Sequence, residues 1–315
     1  MSSWDTFCAY LRRVAAAVVL VLMTVQQATA WGVEGHHMIN RLAGMNLPSD
    51  VPAFLKSTEG LNALEFYAPQ PDHWRGRGEP ELAHESSPDH FIALERVAML
   101  GSLPRNRYDY VRALAKLQAE HPDMPLTVER NGTQPYQTVE MYERLKCAMR
   151  DYRSLLAEKQ DTKPIEAEIV YLAGILGHYI GDGSMPLHTS IHPNGWSGPN
   201  PHGYTTERHI HALFESMFVR ENVKLDDVAS LVSAQKPKLL DDVFDDYIAY
   251  LHHSNTYVEK TYQLEKAGAF VGTGTPEAKA FAVERLAAGA IELRDMIYTA
   301  WVRSADLIPP HTRVQ

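Results

Sequence analysis

Cysteine is nearly absent from this chain of 315 residues, which contains only Cys8 and Cys147. Cys8 falls in an N-terminal segment that we expect to be removed, so the rest of the chain cannot form an internal disulfide. The folded protein must therefore gain its stability from an apolar core, to which bound metal could add.

Positive charge and long apolar runs are also scarce. The chain has 30 lysine and arginine residues against 39 aspartate and glutamate residues, which gives a formal net charge of -9. This balance argues against broad electrostatic binding of nucleic acid, although a local cationic cluster can still attract phosphate. Beyond residue 30 no run approaches eighteen apolar residues, so the sequence predicts no transmembrane segment in the processed chain.

The first thirty residues have the pattern of a secretory signal. Arg12 and Arg13 precede a mainly apolar run over residues 14–25, which is short for a membrane span. Ala28-Thr-Ala30 then gives the small-x-small pattern of a cleavage site, which would make Trp31 the new N-terminus. We therefore expect a secreted or periplasmic protein, with an uncleaved anchor helix as the alternative.

Patterns typical of β-strands are weak, since few segments alternate polar and apolar residues. Helical spacing dominates and predicts helices over residues 31–43, 108–120, 136–158, 165–181, 239–264 and 276–301. Loops are predicted over residues 68–88, 99–106, 121–135 and 192–203. Because no repeat or linker divides the chain, we expect residues 31–315 to form a single, mainly helical all-α domain with long loops, and we expect a monomer.

The most informative segment runs from His178 to His188. His178 and Asp182 are four residues apart, so they share one face of the predicted helix. Pro186 should end that helix and turn the chain, which lets His188 approach the same point. Imidazole and carboxylate groups together are typical ligands of zinc and similar divalent ions.

A second pair of the same kind lies downstream, where His211 and Glu215 are again four residues apart. With the first pair and His188, it supplies more ligands than one tetrahedral ion can take. The residues therefore predict a cluster of metal ions instead of a lone structural zinc. For either pair alone, a buried hydrogen bond without metal is the alternative.

Further candidate ligands precede these motifs in the chain. His36 closely follows Trp31, so its imidazole would lie about one helical turn from a newly formed terminal amine. A free α-amine has a pKa of roughly 8, which allows a metal to compete for its lone pair at neutral pH. Asp72 and His90 add a carboxylate and another imidazole before the central motif.

The ordered set of these residues resembles a superfamily of zinc enzymes. The order is Trp at a processed N-terminus, then His, Asp, His, His-x3-Asp-x5-His and His-x3-Glu. It is similar to the zinc-dependent phospholipases C of bacteria and to the single-strand-specific zinc nucleases. The resemblance covers the chain from residue 31 to about residue 215 and implies an all-α fold around a cluster of three zinc ions.

The resemblance also implies a role for each matching residue. The first zinc would be held by Asp72, His90, His178 and Asp182, the second by His188, His211 and Glu215, and the third by His36 with the amine and carbonyl of Trp31. Asp182 would also bridge the first and third ions, and Asp72 would orient the attacking water. Arg75 would contact phosphate, or in the alternative would be an ordinary salt-bridged arginine. Asp89 is an alternative to Asp72, and His37 is an alternative to His36.

The implied activity is a phosphodiesterase in which a zinc-activated hydroxide attacks phosphorus. The short spacing from Trp31 to His36, the presence of Arg75 and the sequence His90-Phe-Ile resemble the nuclease branch, whereas Glu215 resembles the phospholipase branch. We therefore favour a nuclease of the endonuclease or 3′-nucleotidase type, acting on single-stranded DNA or RNA. A phospholipase C acting on phospholipid headgroups is the alternative, and a non-catalytic metal-binding protein is the minor alternative.

The loop between the two ligand pairs carries further candidate contacts. Trp196 and Tyr204 could stack on a base or line an acyl groove, or could only hold the loop in place. His192 and His209 lie near the ligands in sequence and are candidates for touching substrate.

Overall fold

The structure is a computed structural model, and it describes residues 31–307. The expected signal segment and its cleavage site lie outside these residues. Within residues 31–307 the regular structure is helical, apart from an isolated bridge between Pro193 and Gly195. The prediction of an all-α fold is therefore confirmed. No helix in this part of the chain is long and apolar enough to cross a membrane.

The helices are numbered here in chain order. They are α1 (Val33–Met45), α2 (Thr58–Tyr67), α3 (Gln70–Gly76), α4 (Pro80–Ser86), α5 (Leu94–Val97), α6 (Arg107–Glu120), α7 (Val128–Asn131), α8 (Gln134–Ala157), α9 (Lys163–Ser184), α10 (Ile210–Ala212), α11 (Val219–Asn222), α12 (Leu225–Ala234), α13 (Val243–Asn255), α14 (Val258–Lys266) and α15 (Pro276–Arg303). Short 3-10 helices cover Ala53–Lys56, Ser87–His90, Ala98–Leu100 and Pro186–Thr189, and a π-helix over Leu213–Phe218 joins α10 to α11.

Helix α9 lies at the centre of the fold, where α1, α2, α8 and α15 pack around it. Almost every residue in its second half is buried, as the nearly all-apolar composition of residues 165–181 predicts. Asn40 of α1 donates its side-chain amide to the carbonyl oxygen of Gly174 at 2.9 Å. A methyl group on Gly177 would lie only 2.0 Å from the side-chain oxygen of Asn40. Glycine at this position therefore allows α1 to pack closely against the helix that carries the central motif.

Five predicted helices correspond closely to α1, α6, α8, α9 and α15. The prediction of one helix over residues 239–264 is wrong, because the structure divides it into α13 and α14. Helix α13 begins after Asp242, whose side chain accepts a hydrogen bond from the amide of Asp245. At the break, Asn255 donates to the carbonyl oxygen of Thr189 at 2.9 Å. The break thus places a side chain against the segment that follows His188.

The prediction of a loop over residues 68–88 is also wrong, because α3 and α4 occupy most of it. Pro71 and Pro80 lie at the first positions of these helices, where the missing amide hydrogen costs no hydrogen bond. The predicted loop over residues 121–135 contains α7. Helices α2 and α12 are further elements that the spacing of apolar residues does not predict.

Candidate metal centre

The candidate ligands converge on the end of α9. All nine are buried, with at most 7% of any residue exposed: Trp31, His36, Asp72, His90, His178, Asp182, His188, His211 and Glu215. Helix α9 ends at Ser184, and the 3-10 helix that starts at Pro186 brings His188 back toward the same point. As a result, His188 Nδ1 lies 3.9 Å from Asp182 Oδ2.

One group of side chains surrounds Asp182. Its Oδ2 lies 3.0 Å from His90 Nδ1 and 3.4 Å from His178 Nε2, and these two ring nitrogens are 2.9 Å apart. Asp72 Oδ1 completes the group at 3.8 Å from His90 Nδ1 and 3.9 Å from His178 Nε2. His90, His178 and Asp182 can present their donor atoms to one small volume, as a metal ion requires, and Asp72 can do so together with His36 and His178.

His36 approaches the same group from α1. Its Nε2 lies 3.4 Å from Asp182 Oδ1, and its ring stacks on that of His178 with 4.2 Å between centroids. The two carboxylate oxygens of Asp182 therefore face different imidazoles, an arrangement that suits a bridging ligand. His37 is only half-buried, so the structure places His36 and not its neighbour inside the cluster.

The start of the described chain is fixed between the ligand segments. The indole nitrogen of Trp31 donates to Ser184 Oγ at 2.7 Å, at the end of α9. The amide of Gly32 donates to the carbonyl oxygen of Glu215 at 3.3 Å. Trp31 also packs edge-on against Phe214, with 5.4 Å between ring centroids. Residues 31 and 32 are thereby linked to the end of α9 and to Glu215.

A second group contains His188, His211 and Glu215. His211 Nε2 lies 2.8 Å from Glu215 Oε2 and 3.0 Å from His188 Nε2. The π-helix that carries Glu215 also buries Phe214, which stacks on Phe270 with 4.6 Å between centroids. The wider π-turn thus directs the carboxylate inward while a neighbouring ring packs in the core, a use of π-helices that is frequent at functional sites.

The hydrogen bonds of three histidines determine which ring nitrogen carries the proton. His178, His188 and His211 place Nδ1 at 2.8, 2.6 and 2.8 Å from main-chain carbonyl oxygens of residues 68, 90 and 193. Because a carbonyl oxygen only accepts, each Nδ1 must donate, and in the neutral ring Nε2 keeps a free lone pair.

Two of these ring nitrogens, those of His188 and His211, face each other. The Nε2 atoms of His188 and His211 are 3.0 Å apart, so two lone pairs face each other unless a cation or a shared proton lies between them. Orientation of imidazoles by main-chain carbonyls is also the usual arrangement around metal-ligating histidines. The donor set therefore fits a divalent ion that prefers imidazole and carboxylate.

Burial disfavours the charged forms of most groups in the cluster. It raises the pKa of Asp182 well above its usual range and that of Asp72 to about 6, even though Arg75 lowers the latter. Burial also lowers the pKa of His90 and His178 well below the usual range. A bound cation reverses both effects, because it favours the carboxylate and the unprotonated ring.

Arg75 lies at the edge of the cluster and forms a salt bridge with Asp72. Its Nε is buried and has no hydrogen-bond acceptor among the described residues, while 18% of its side chain remains exposed. The guanidinium therefore retains a donor that no described residue uses. Asp89, the alternative to Asp72, instead accepts a hydrogen bond from Thr133 at 2.7 Å.

The aromatic side chains of the loop over residues 192–203 and of Tyr204 contact the loop and the neighbouring helix α14. Trp196 stacks on His192 with 4.0 Å between centroids and donates to the carbonyl oxygen of Pro199 at 2.9 Å. Tyr204 is buried and donates to Glu259 on α14 at 2.8 Å. His209 Nε2 lies 3.5 Å from Glu265 on the same helix. These contacts favour the structural interpretation of the loop side chains over direct contact with substrate.

Sequence reasoning missed Ser184, the acceptor for Trp31. Its position two residues after Asp182 is the available signal, since it lies at the end of the ligand helix.

Comparison with known proteins adds a family match. The profile of the family described as S1/P1 Nuclease matches residues 31–306. Among solved structures, alpha toxin from Clostridium absonum is similar with a TM-score of 0.45 and 12% identity over 90% of this chain and 67% of the toxin. Clostridium perfringens alpha-toxin from avian strain SWCP has a TM-score of 0.40 and 12% identity over 87% of this chain and 64% of the toxin. The chain thus spans about two thirds of each toxin, and no curated protein sequence matches it.

Proposed function

This chain belongs to the S1/P1 nuclease family, and from that membership we propose that it is a zinc-dependent phosphodiesterase that hydrolyses single-stranded DNA or RNA. The proposed activity is of the endonuclease or 3′-nucleotidase type. The observation that carries the proposal is the convergence of nine buried residues on two neighbouring groups of imidazoles and carboxylates. A purely structural core has no need to bury so many ionisable groups with their donor atoms facing one another.

We assign three zinc ions to these residues. The first ion takes Asp72, His90, His178 and Asp182, the second takes His188, His211 and Glu215, and the third takes His36 with the amine and carbonyl of Trp31. The third assignment requires removal of residues 1–30 on export, because only then does Trp31 carry a free amine. We also propose that residues 31–315 form one domain and that the protein acts as a secreted or periplasmic monomer.

The side chains have separate tasks in the proposed reaction. Bound zinc would supply an activated water and positive charge to offset the charge that develops on the phosphate. Asp72 would orient the attacking water through a carboxylate oxygen, and Asp182 would offer its two oxygens to neighbouring metal ions. The guanidinium of Arg75 binds a nonbridging phosphate oxygen and is itself oriented by its salt bridge with Asp72.

The proposal is tested by assaying the protein that begins at Trp31 against single-stranded DNA and phosphatidylcholine in parallel. We expect cleavage of DNA that stops on chelation and returns on addition of zinc. Chelator-sensitive release of phosphocholine without DNA cleavage would contradict the nuclease and favour the phospholipase that Glu215 resembles. Activity on neither substrate, from protein with its full zinc content, would contradict both assignments.

A further inference from the structure

A cavity with a volume of about 550 Å³ opens beside the second ligand group. Its walls are the segments that follow two proposed ligands in the chain: Phe91 comes directly after His90, and Ser190 begins a stretch shortly after His188. Pro193 also lines the cavity, and its carbonyl oxygen accepts the hydrogen bond from His211 Nδ1 at 2.8 Å. The cavity wall is therefore formed in part by the same chain segments that carry or orient the proposed ligands.

Three arginines line this cavity, namely Arg96, Arg130 and Arg208. Within residues 31–307 no carboxylate lies within ion-pair distance of any of these three guanidinium groups. Their one hydrogen bond to the described residues runs from Arg96 to the carbonyl oxygen of Arg130 at 3.3 Å. In a chain with a formal net charge of -9, three unpaired cations around one cavity form a local positive potential.

The nearby carboxylates have other partners. Glu95 accepts hydrogen bonds from the amide of Ile191 at 2.9 Å and from the side chain of Asn255 at 3.0 Å. Glu129 lines the same cavity and accepts a hydrogen bond from the Thr127 side chain, which lowers the pKa of Glu129. Of the two carboxylates only Glu129 lines the cavity, and neither forms an ion pair with the arginines, which leaves them free to bind an anion that enters from solvent.

Arg96 is the least exposed of the three arginines. Partial burial lowers the pKa of its guanidinium, and the neighbouring Arg130 lowers it further, although Glu95 raises it. A partly desolvated guanidinium with spare donors gains more from an anion than a fully hydrated one does. Phosphate suits it best, because guanidinium donors bind pairs of phosphate oxygens in a planar fork.

We propose that Arg96, Arg130 and Arg208 form a subsite for a phosphate group of the nucleic acid strand next to the one that is cleaved. The inference rests on the proposed nuclease function and adds that the protein prefers strands with flanking phosphates to dinucleoside monophosphates. The same cations disfavour a choline headgroup, whose quaternary ammonium is recognised by aromatic faces.

Binding tests the subsite without turnover. Two tetrathymidylates would be compared, one with charged methylenephosphonate linkages that resist hydrolysis and one with neutral methylphosphonate linkages. We expect the Arg96→Gln/Arg130→Gln/Arg208→Gln protein to bind the charged strand roughly tenfold more weakly than wild type, with a smaller dependence on salt. The neutral strand should bind both proteins equally. Arg112→Gln is the matched control, because Arg112 is exposed on α6 and paired with Asp109.

Kinetics give an independent readout. For dinucleotides that carry a terminal phosphate, the triple variant should raise KM about tenfold and leave kcat unchanged, whereas dinucleoside monophosphates should change by less than about twofold. Equal losses on both substrates, or wild-type binding of the charged strand by the triple variant, would overturn the subsite. Because Arg208 makes no hydrogen bond or ion pair with described residues, Arg208→Glu repeats the test if the triple variant unfolds. A wild-type protein that does not hydrolyse single-stranded DNA would instead contradict the proposed function, and the binding comparison decides the subsite on its own.

Discussion

Ser184 shows how one hydroxyl positions the start of the chain. It accepts the indole hydrogen of Trp31 at 2.7 Å and donates to the carbonyl oxygen of Gly181 at 2.8 Å, so it links Trp31 to the last turn of α9. Both residues are fully buried, and water cannot replace a lost bond at this place. Ser254 offers a contrast, because its buried hydroxyl oxygen has no hydrogen-bond partner among the described residues.

Replacing Ser184 with alanine should therefore reduce the free energy of unfolding by about 1–3 kcal/mol, since the Trp31 indole hydrogen stays buried without an acceptor. Ser254→Ala is the matched control and should be neutral or stabilising. Urea unfolding of the two variants measures the difference. Equal effects of both substitutions would show that the Trp31 hydrogen bond contributes nothing to stability.

Glu292 on α15 is a buried carboxyl outside the proposed metal site. Burial raises its pKa from 4.5 to about 8, with a further increase from Asp295 and a decrease from Lys238. Below pH 4.5 the group is protonated in the folded and unfolded states alike. As pH rises to about 8, the unfolded state loses this proton first, so stability is lost across that window.

The Glu292→Gln protein should escape this loss. Its advantage in unfolding free energy over wild type should grow between pH 5 and pH 8 by a few kcal/mol, since each pKa unit corresponds to about 1.4 kcal/mol. Glu143→Gln, an exposed position on α8, should show no such growth. An advantage that is the same at both pH values would contradict the buried, protonated state of Glu292.

At the residue scale the sequence predicts which candidate ligands share a helical face, because their spacing along the chain is a local signature. Imidazoles and carboxylates spaced by four residues predict a shared helical face. On α9 the Nε2 of His178 does lie 3.4 Å from the Oδ2 of Asp182. Long-range partners leave no such signature. Neither the pairing of Trp31 with Ser184 nor the grouping of three arginines around one cavity follows from their spacing in the chain.

At the scale of elements, the π-helix over Leu213–Phe218 has the most specific consequence. It accommodates one more residue per turn than an α-helix and so lets Glu215 face the site while Phe214 and Phe218 stay buried. Sequence periodicity misses it, because a single inserted residue looks like ordinary variation in the apolar pattern. Prolines also lead to a wrong prediction, because a proline is compatible with the first turn of a helix as well as with a loop. Those of α3 and α4 lie in first turns where a loop is predicted.

Deleting Met217 should convert this segment to a regular α-helix, so that side chains within the turn change direction while the flanking helices keep theirs. Either Glu215 or Phe218 then leaves its place, so the variant should bind less zinc or melt several degrees lower than wild type. Met217→Ala is the control, because the side chain of Met217 is exposed and its loss should change little. A deletion variant with the stability and zinc content of the control would show that the π-turn is dispensable.

At the scale of the whole molecule, the fold surrounds ionisable groups that burial would otherwise penalise. Asp72, Asp182 and Glu215 are buried near one another, and the core that encloses them joins α9 to the helices on either side. Because bound metal would neutralise these carboxylates only in the folded state, metal binding should add directly to the free energy of folding.

Removal of metal should therefore lower the melting temperature of the whole protein. We expect a loss of a few kcal/mol, or on the order of 10 °C in Tm, that zinc restores. Asp182→Asn protein should respond much less to the chelator. Calorimetry of both proteins with and without chelator gives the comparison, and an unchanged Tm for stripped wild-type protein would contradict the coupling.

The central claim is that nine buried residues hold a zinc cluster that is completed by the amine of Trp31. Native mass spectrometry of the folded protein that begins at Trp31 counts the bound ions directly. We expect three zinc ions for this protein and two when one glycine precedes Trp31. A correctly folded protein that begins at Trp31 and retains no zinc in the presence of excess metal would contradict it.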